Sequence, residues 1–177
     1  MKNIFLVCLL SIVSLQVNAE VTSAQLFRTI NQRLGYMEDV ALFKAQNHLP
    51  IEDIQRENVV IEKAKVFASE QGLDPESVED FFQAQIVVAK AIQYRYRADL
   101  LSQPSVRLPR DLQKEVRPAL IRLGNQIIEQ MAAYCNDHDE FQQTQLPEFN
   151  EAITVKYVTE TDKQLLFKAL LKVKQSR

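Results

Sequence analysis

The sequence predicts an all-α protein, a single-domain bundle of about six helices. Three observations carry this expectation. The 177 residues include only three glycines and no Trp, with few β-branched runs, which argues against a sheet. Apolar residues recur at spacings of three and four. Sharp boundary signals, such as Asp74-Pro75-Glu76, divide the chain into helix-length pieces.

The chain opens with MKNIFLVCLLSIVSLQVNAE, which reads as a secretory signal. Lys2 supplies a basic start, and Ile4 to Val17 forms the apolar stretch. Val17-Asn18-Ala19 offers small residues where a signal peptidase reads, so cleavage is expected after Ala19. The apolar run is too short and interrupted for a transmembrane span. The expected domains are therefore a signal peptide at 1–19 and one domain at 20–177, exported to the periplasm or secreted and not membrane-bound.

The first helix is expected from Thr22 or Ser23 to about Asn47. Its inward stripe reads Leu26, Ile30, Arg33, Met37, Val40, Lys44. Pro50 suits a helix start, so the second helix is expected from there to about Gln71, with Gly72 ending it. Asp74 caps the third, from Pro75 to about Ser102. The segment SQPSVRLPRD, Ser102 to Asp111, reads as a hinge loop between two halves. A fourth helix is expected from Asp111 to about Asn136, bent by Pro118 if it already begins at Asp111. Shorter pieces follow around 139–153. Thr159-Glu160-Thr161-Asp162 then caps a last helix to about Lys174.

Composition excludes several kinds of chemistry. Without residues 1–19 the chain has 158 residues, a usual size for one full core, and its net charge moves from −2 to −3. That balance gives no argument for a nucleic-acid partner. Cys135 is then the only cysteine, so no intramolecular disulfide can form, and it reads as a core residue rather than a nucleophile. His48 and His138 have no ligand spacing, which speaks against a metal site. Three isolated glycines cannot build a phosphate loop.

What remains is a set of cations on inward stripes. Arg33 and Lys44 are 11 residues apart, which at about 100° per residue returns to one face, about 16 Å along the axis. Arg56, Val60, Ala64 and Phe67 form a second stripe with a cation at one end. Phe82, Ile86, Ala89, Gln93, Tyr96 and Leu100 form a third, with a buried amide. A buried charge needs compensation. Either Asp53 and Glu57 supply it as internal salt bridges, or the site takes an anionic ligand. Two or three cations with a neutral donor suit a small dianion.

The spacing Arg33-x10-Lys44-x5-Pro50-x2-Asp53-x2-Arg56-Glu57 resembles the active-site signature of the all-helical, AroQ-type chorismate mutases. FFQAQIVVAKAIQY, Phe81 to Tyr94, is similar to the family's third-helix segment, which ends in a Gln or Glu facing substrate. LPIED, the signal peptide and the longer C-terminal half resemble the secreted, periplasmic subclass. The resemblance runs from about Gln25 to Ala132.

It implies an isomerase that rearranges chorismate to prephenate with no cofactor and no covalent intermediate. It implies Arg33 and Arg56 as carboxylate ligands, and Lys44 and Gln93 as catalytic donors to the ether oxygen. Glu57 would accept from the ring hydroxyl, with Asp53 close by. Three departures stand out. Ala89 lies where relatives often carry Ser or Thr, and Val60 where a secreted relative has Gln. The cation that short members borrow from a partner chain would fall at Gln16, inside the signal peptide. A fourth-helix substitute is expected instead: alignment gives Gln126, with Arg122 one turn earlier as the charged candidate. A homodimer is common in the secreted subclass. The rival expectation is a non-catalytic periplasmic helical binder or chaperone.

Overall fold

A computed structural model describes residues 22–176; the expected signal peptide at 1–19 lies outside them. Among the described residues there are seven α-helices: α1 (Ser23–Gly35), α2 (Met37–Gln46), α3 (Ile54–Glu70), α4 (Pro75–Ser102), α5 (Arg117–His138), α6 (Leu146–Ala152) and α7 (Glu160–Leu170). No strand occurs among them.

The expected first helix is divided at Tyr36 into α1 and α2. Gly35 has low helix propensity, and the Tyr36 ring lies under the Arg110 guanidinium at 4.6 Å. Tyr36 keeps right-handed dihedrals, φ −74° and ψ −11°, so the inward register survives the break. All six stripe residues from Leu26 to Lys44 are buried.

The second helix starts later than Pro50. Its N-cap is Asp53, whose Oδ1 accepts from the Arg56 backbone N–H at 3.1 Å. An Asp that satisfies an orphan helix donor defines the boundary better than a Pro three residues upstream. The chain instead turns sharply at His48, which adopts φ +52°. Leu49 N–H donates back to the Lys44 carbonyl at 2.8 Å.

α4 follows the boundary signals closely. Gly72 takes φ +78°, a conformation that glycine adopts without steric cost. Asp74 caps the first turn, and Pro75 sits where no N–H is needed. At 28 residues, α4 is about 42 Å long. It packs against α2, α3 and α7, while α5 packs on α1 and α3.

The fourth expected helix begins with a π-helical turn, Leu112–Val116, capped by Asp111, and continues as α5 with Pro118 in its first turn. The bond that the proline N–H cannot make therefore falls in this wider turn, ahead of the α5 interior. The loop before it is strapped down. Arg107 and Arg110 both bind the buried carboxylate of Asp39 on α2. The Thr159–Asp162 capping box opens α7, and Arg95 of α4 holds Asp162 at 2.5 Å. The core away from the cavity is aromatic: Phe149 meets Phe27 edge-on at 5.1 Å and Phe167 at 5.2 Å.

Candidate active site

A cavity of about 410 Å³ opens between α1, α2, α3, α4 and α5. Arg33, Lys44, Asp53, Arg56, Glu57 and Gln93 all line it, so the fold brings together the six site residues expected on the first three helices. Three further cations reach the same space: Lys63, Lys90 and Arg117. Six cations therefore face two carboxylates. Val60, Phe67, Phe82, Leu120 and Ile128 supply apolar wall.

Arg33 projects from α1 and is 6% exposed. Its Nη1 donates to Gln85 Oε1 at 2.6 Å, and its guanidinium lies over the Phe82 ring, 5.5 Å from the centroid. Its Nε is buried without a partner. Burial pulls the guanidinium down to about 10, since nothing nearby offsets the lost hydration. Arg33 is charged across the neutral range.

Lys44 reaches in from the last turn of α2 and donates to the Ile51 carbonyl at 2.5 Å. Two of its three N–H groups remain for other acceptors. Burial holds this ammonium below the usual lysine range. The charges of Asp53 and Glu57 work against that effect, and Arg117 adds to it.

Among the described residues, no carboxylate lies within salt-bridge distance of Arg33, Lys44 or Arg56. Internal pairing with Asp53 and Glu57 is thus not how the fold compensates these cations. Those two acids are committed elsewhere. Asp53 caps α3 and presents its own N–H to Glu57 Oε1 at 3.2 Å. Glu57 Oε2 pairs with Lys90 at 3.0 Å. Gln93 is 5% exposed on α4. One Nε2–H goes to the Ala89 carbonyl at 3.1 Å; the other meets only the Met37 sulfur at 3.8 Å, a weak acceptor. Gln93 Oε1 is buried without a partner.

The fourth-helix expectation needs correction. Arg122 is exposed and neither it nor Gln126 lines the cavity. The face that does so carries Arg117, Ile121, Gly124, Asn125 and Ile128. Arg122 is one residue beyond Ile121, about 100° around the helix and so turned to solvent. A methyl group at Gly124 would make only ordinary contacts, 3.6 Å from the Phe82 ring and 3.9 Å from Arg33 Nε. Cys135 is a fully buried free thiol, pushed up to about 11 by burial, outside the cavity.

The family model of chorismate mutase type II matches residues 20–94. A secreted chorismate mutase from Yersinia pestis is 41% identical over 145 residues, covering 82% of this chain and 78% of that protein. The chain belongs to the type II chorismate mutases. A monofunctional chorismate mutase from Enterobacter agglomerans is 36% identical over 164 residues, covering 89% of this chain and 86% of its own. The crystal structure of the secreted chorismate mutase from Yersinia pestis superposes with a TM-score of 0.80 at 40% identity. That match covers 86% of this chain and 98% of the other. The region shared with the type II chorismate mutase model ends at residue 94, just past Gln93. It takes in all six expected site residues but none of the α5 face.

Proposed function

We propose that this cavity rearranges chorismate to prephenate, with the residues of one chain holding the substrate dianion. The observation that carries the reading is the cluster Arg33, Lys44 and Arg56, three cations facing one cavity with no carboxylate paired to any of them. At an effective dielectric of about 20, a unit charge 4 Å from its counter-ion gains about 4 kcal/mol. A dianion entering this cavity therefore repays much of the desolvation these side chains have already suffered.

In the reaction, the ether C–O bond breaks as a new C–C bond forms within the same molecule. No group is transferred to the protein. The chain has to hold the compact conformer and stabilise negative charge growing on the ether oxygen. Arg33 and Arg56 grip the two carboxylates. Lys44, already aimed by Ile51, and the Gln93 N–H that meets only the weakly accepting Met37 sulfur donate to the ether oxygen, and Lys44 also touches a carboxylate. Glu57, fixed by Lys90 and the Asp53 N–H, accepts from the ring hydroxyl. Asp53 acts mainly by capping the helix that presents Arg56. Arg117 supplies the further cation in place of Arg122, supported by its place in the cavity lining and by its charge acting on Lys44.

Export fits the same reading. The relative from Yersinia pestis is named as secreted, and residues 1–19 have the composition of a signal peptide. Cleavage after Ala19 would release residues 20–177 as one soluble periplasmic domain. Among the described residues, no helix is long and apolar enough to cross a membrane. Assembly as a homodimer is part of the proposal and is read directly from the mass of the purified protein in solution.

The test is to mix the purified mature protein with chorismate and follow its loss and the appearance of prephenate. Acceleration over buffer is expected; a rate equal to buffer overturns the reading. A chaperone would also show no thermal stabilisation by prephenate, whereas the enzyme gains stability by mass action.

A further inference from the structure

We propose that Gln85 is a positioning residue for Arg33: it aims the guanidinium into the cavity while leaving its charge uncompensated. The inference rests on the reading of the cavity as a chorismate site and adds a residue outside the expected set.

Gln85 is fully buried on α4. Its Oε1 accepts from Arg33 Nη1 at 2.6 Å, across 52 residues of sequence. The amide orientation is dictated by Arg33, because the opposite flip would set N–H against N–H. The price of this arrangement is visible in the same side chain: Gln85 Nε2 is buried with no partner. A buried unpaired N–H destabilises the fold, and methionine would fill similar space without that cost. The contribution of this side chain therefore lies in its oxygen.

The neutrality of that oxygen matters as much as its position. A carboxylate at residue 85 would hold Arg33 equally well, through a charge-assisted bond roughly twice as strong. It would also neutralise the guanidinium, so that an incoming substrate carboxylate would meet an ion pair instead of a free cation. An apolar residue would leave the charge but release its aim, with only the Phe82 ring to restrain it. Gln85 satisfies both requirements, and Arg33 keeps its remaining Nη donors for a ligand.

The experiment compares Gln85→Glu and Gln85→Met with the unmutated chain, alone and in an Arg33→Ala background. In Gln85→Glu, KM for chorismate should rise about tenfold or more, with kcat within about threefold, because a grip on a non-reacting carboxylate is held throughout the reaction. Gln85→Met should raise KM about three- to tenfold and keep a normal thermal midpoint. In the Arg33→Ala background, both substitutions should change KM less than about twofold, since their target is gone. Unchanged KM in both single variants overturns the assignment. So do effects that persist without Arg33, or a Gln85→Met chain that fails to fold, which would mark the residue as structural. If the unmutated chain itself does not convert chorismate, the functional reading fails, and this inference with it.

Discussion

Lys44 Nζ and the Ile51 carbonyl oxygen are joined by a 2.5 Å hydrogen bond across the turn that separates α2 from α3. The left-handed His48 and the late start of α3 at Asp53 make that contact possible. The bond removes one of three ammonium donors from use and fixes the direction of the other two. A flexible lysine is thereby converted into an aimed donor, which is what stabilisation of a developing charge requires.

Loss of that donor should be severe. Lys44→Ala is expected to lower kcat by at least about 10²- to 10³-fold, the usual effect of removing one preorganised donor. Circular dichroism should remain helical. A loss below tenfold, measured at saturating chorismate, would mean that Lys44 serves the fold and not the breaking bond.

Neutral pH should leave the rate unchanged, because Gln93 donates without titrating. A profile nearly flat from about pH 5 to 8 is expected, and Gln93→Glu should move the optimum to acid, since only a protonated carboxyl can donate. A sharply acidic optimum in the unmutated chain would contradict the role given to Gln93.

At alkaline pH the limit is set by two buried cations, Arg33, pulled down to about 10, and Lys44. Burial holds its ammonium below the usual lysine value of 10.5. Its charged form is the active one, so kcat/KM should decline as pH rises, at a pH below that of a free lysine. The bound dianion favours the charged form, so the corresponding limb in kcat should lie higher than in kcat/KM. Coincident limbs would show that substrate does not contact the ammonium.

On the fourth helix, two arginines can be told apart. Arg117→Ala should raise KM about tenfold, by removing a cation from the cavity wall; Arg122→Ala, on the exposed face, should leave KM within about twofold. Steady-state kinetics on the pair decides the matter. The opposite ranking would restore the placement expected from the sequence.

Much of the architecture is written in local signals. Asp74-Pro75 and the Thr159–Asp162 box mark their helix starts because capping depends on residues three or four apart. The buried stripe from Leu26 to Lys44 is legible because helical phase is a local property, and it passes through Tyr36 unbroken. One start was misread for an equally local reason. Pro50 competes with Asp53 as a boundary signal, and only the Asp53 side chain satisfies a helix donor. On α5, Arg117 and Ile121 share the side that lines the cavity, and Arg122 lies about 100° from Ile121 around the helix.

By itself, then, the sequence determined the helices, their inward faces and six side chains that could converge on a dianion. Only the tertiary structure decided which charges find partners. Glu57 meets Lys90 across 33 residues, and Arg33 meets the neutral Gln85 across 52. Asp39, equally inward, is taken up by two loop arginines instead of by a site cation. Periodicity assigns a side chain to a face of its own helix. It carries no information on which side chain of another helix stands opposite, because that depends on how the helices pack.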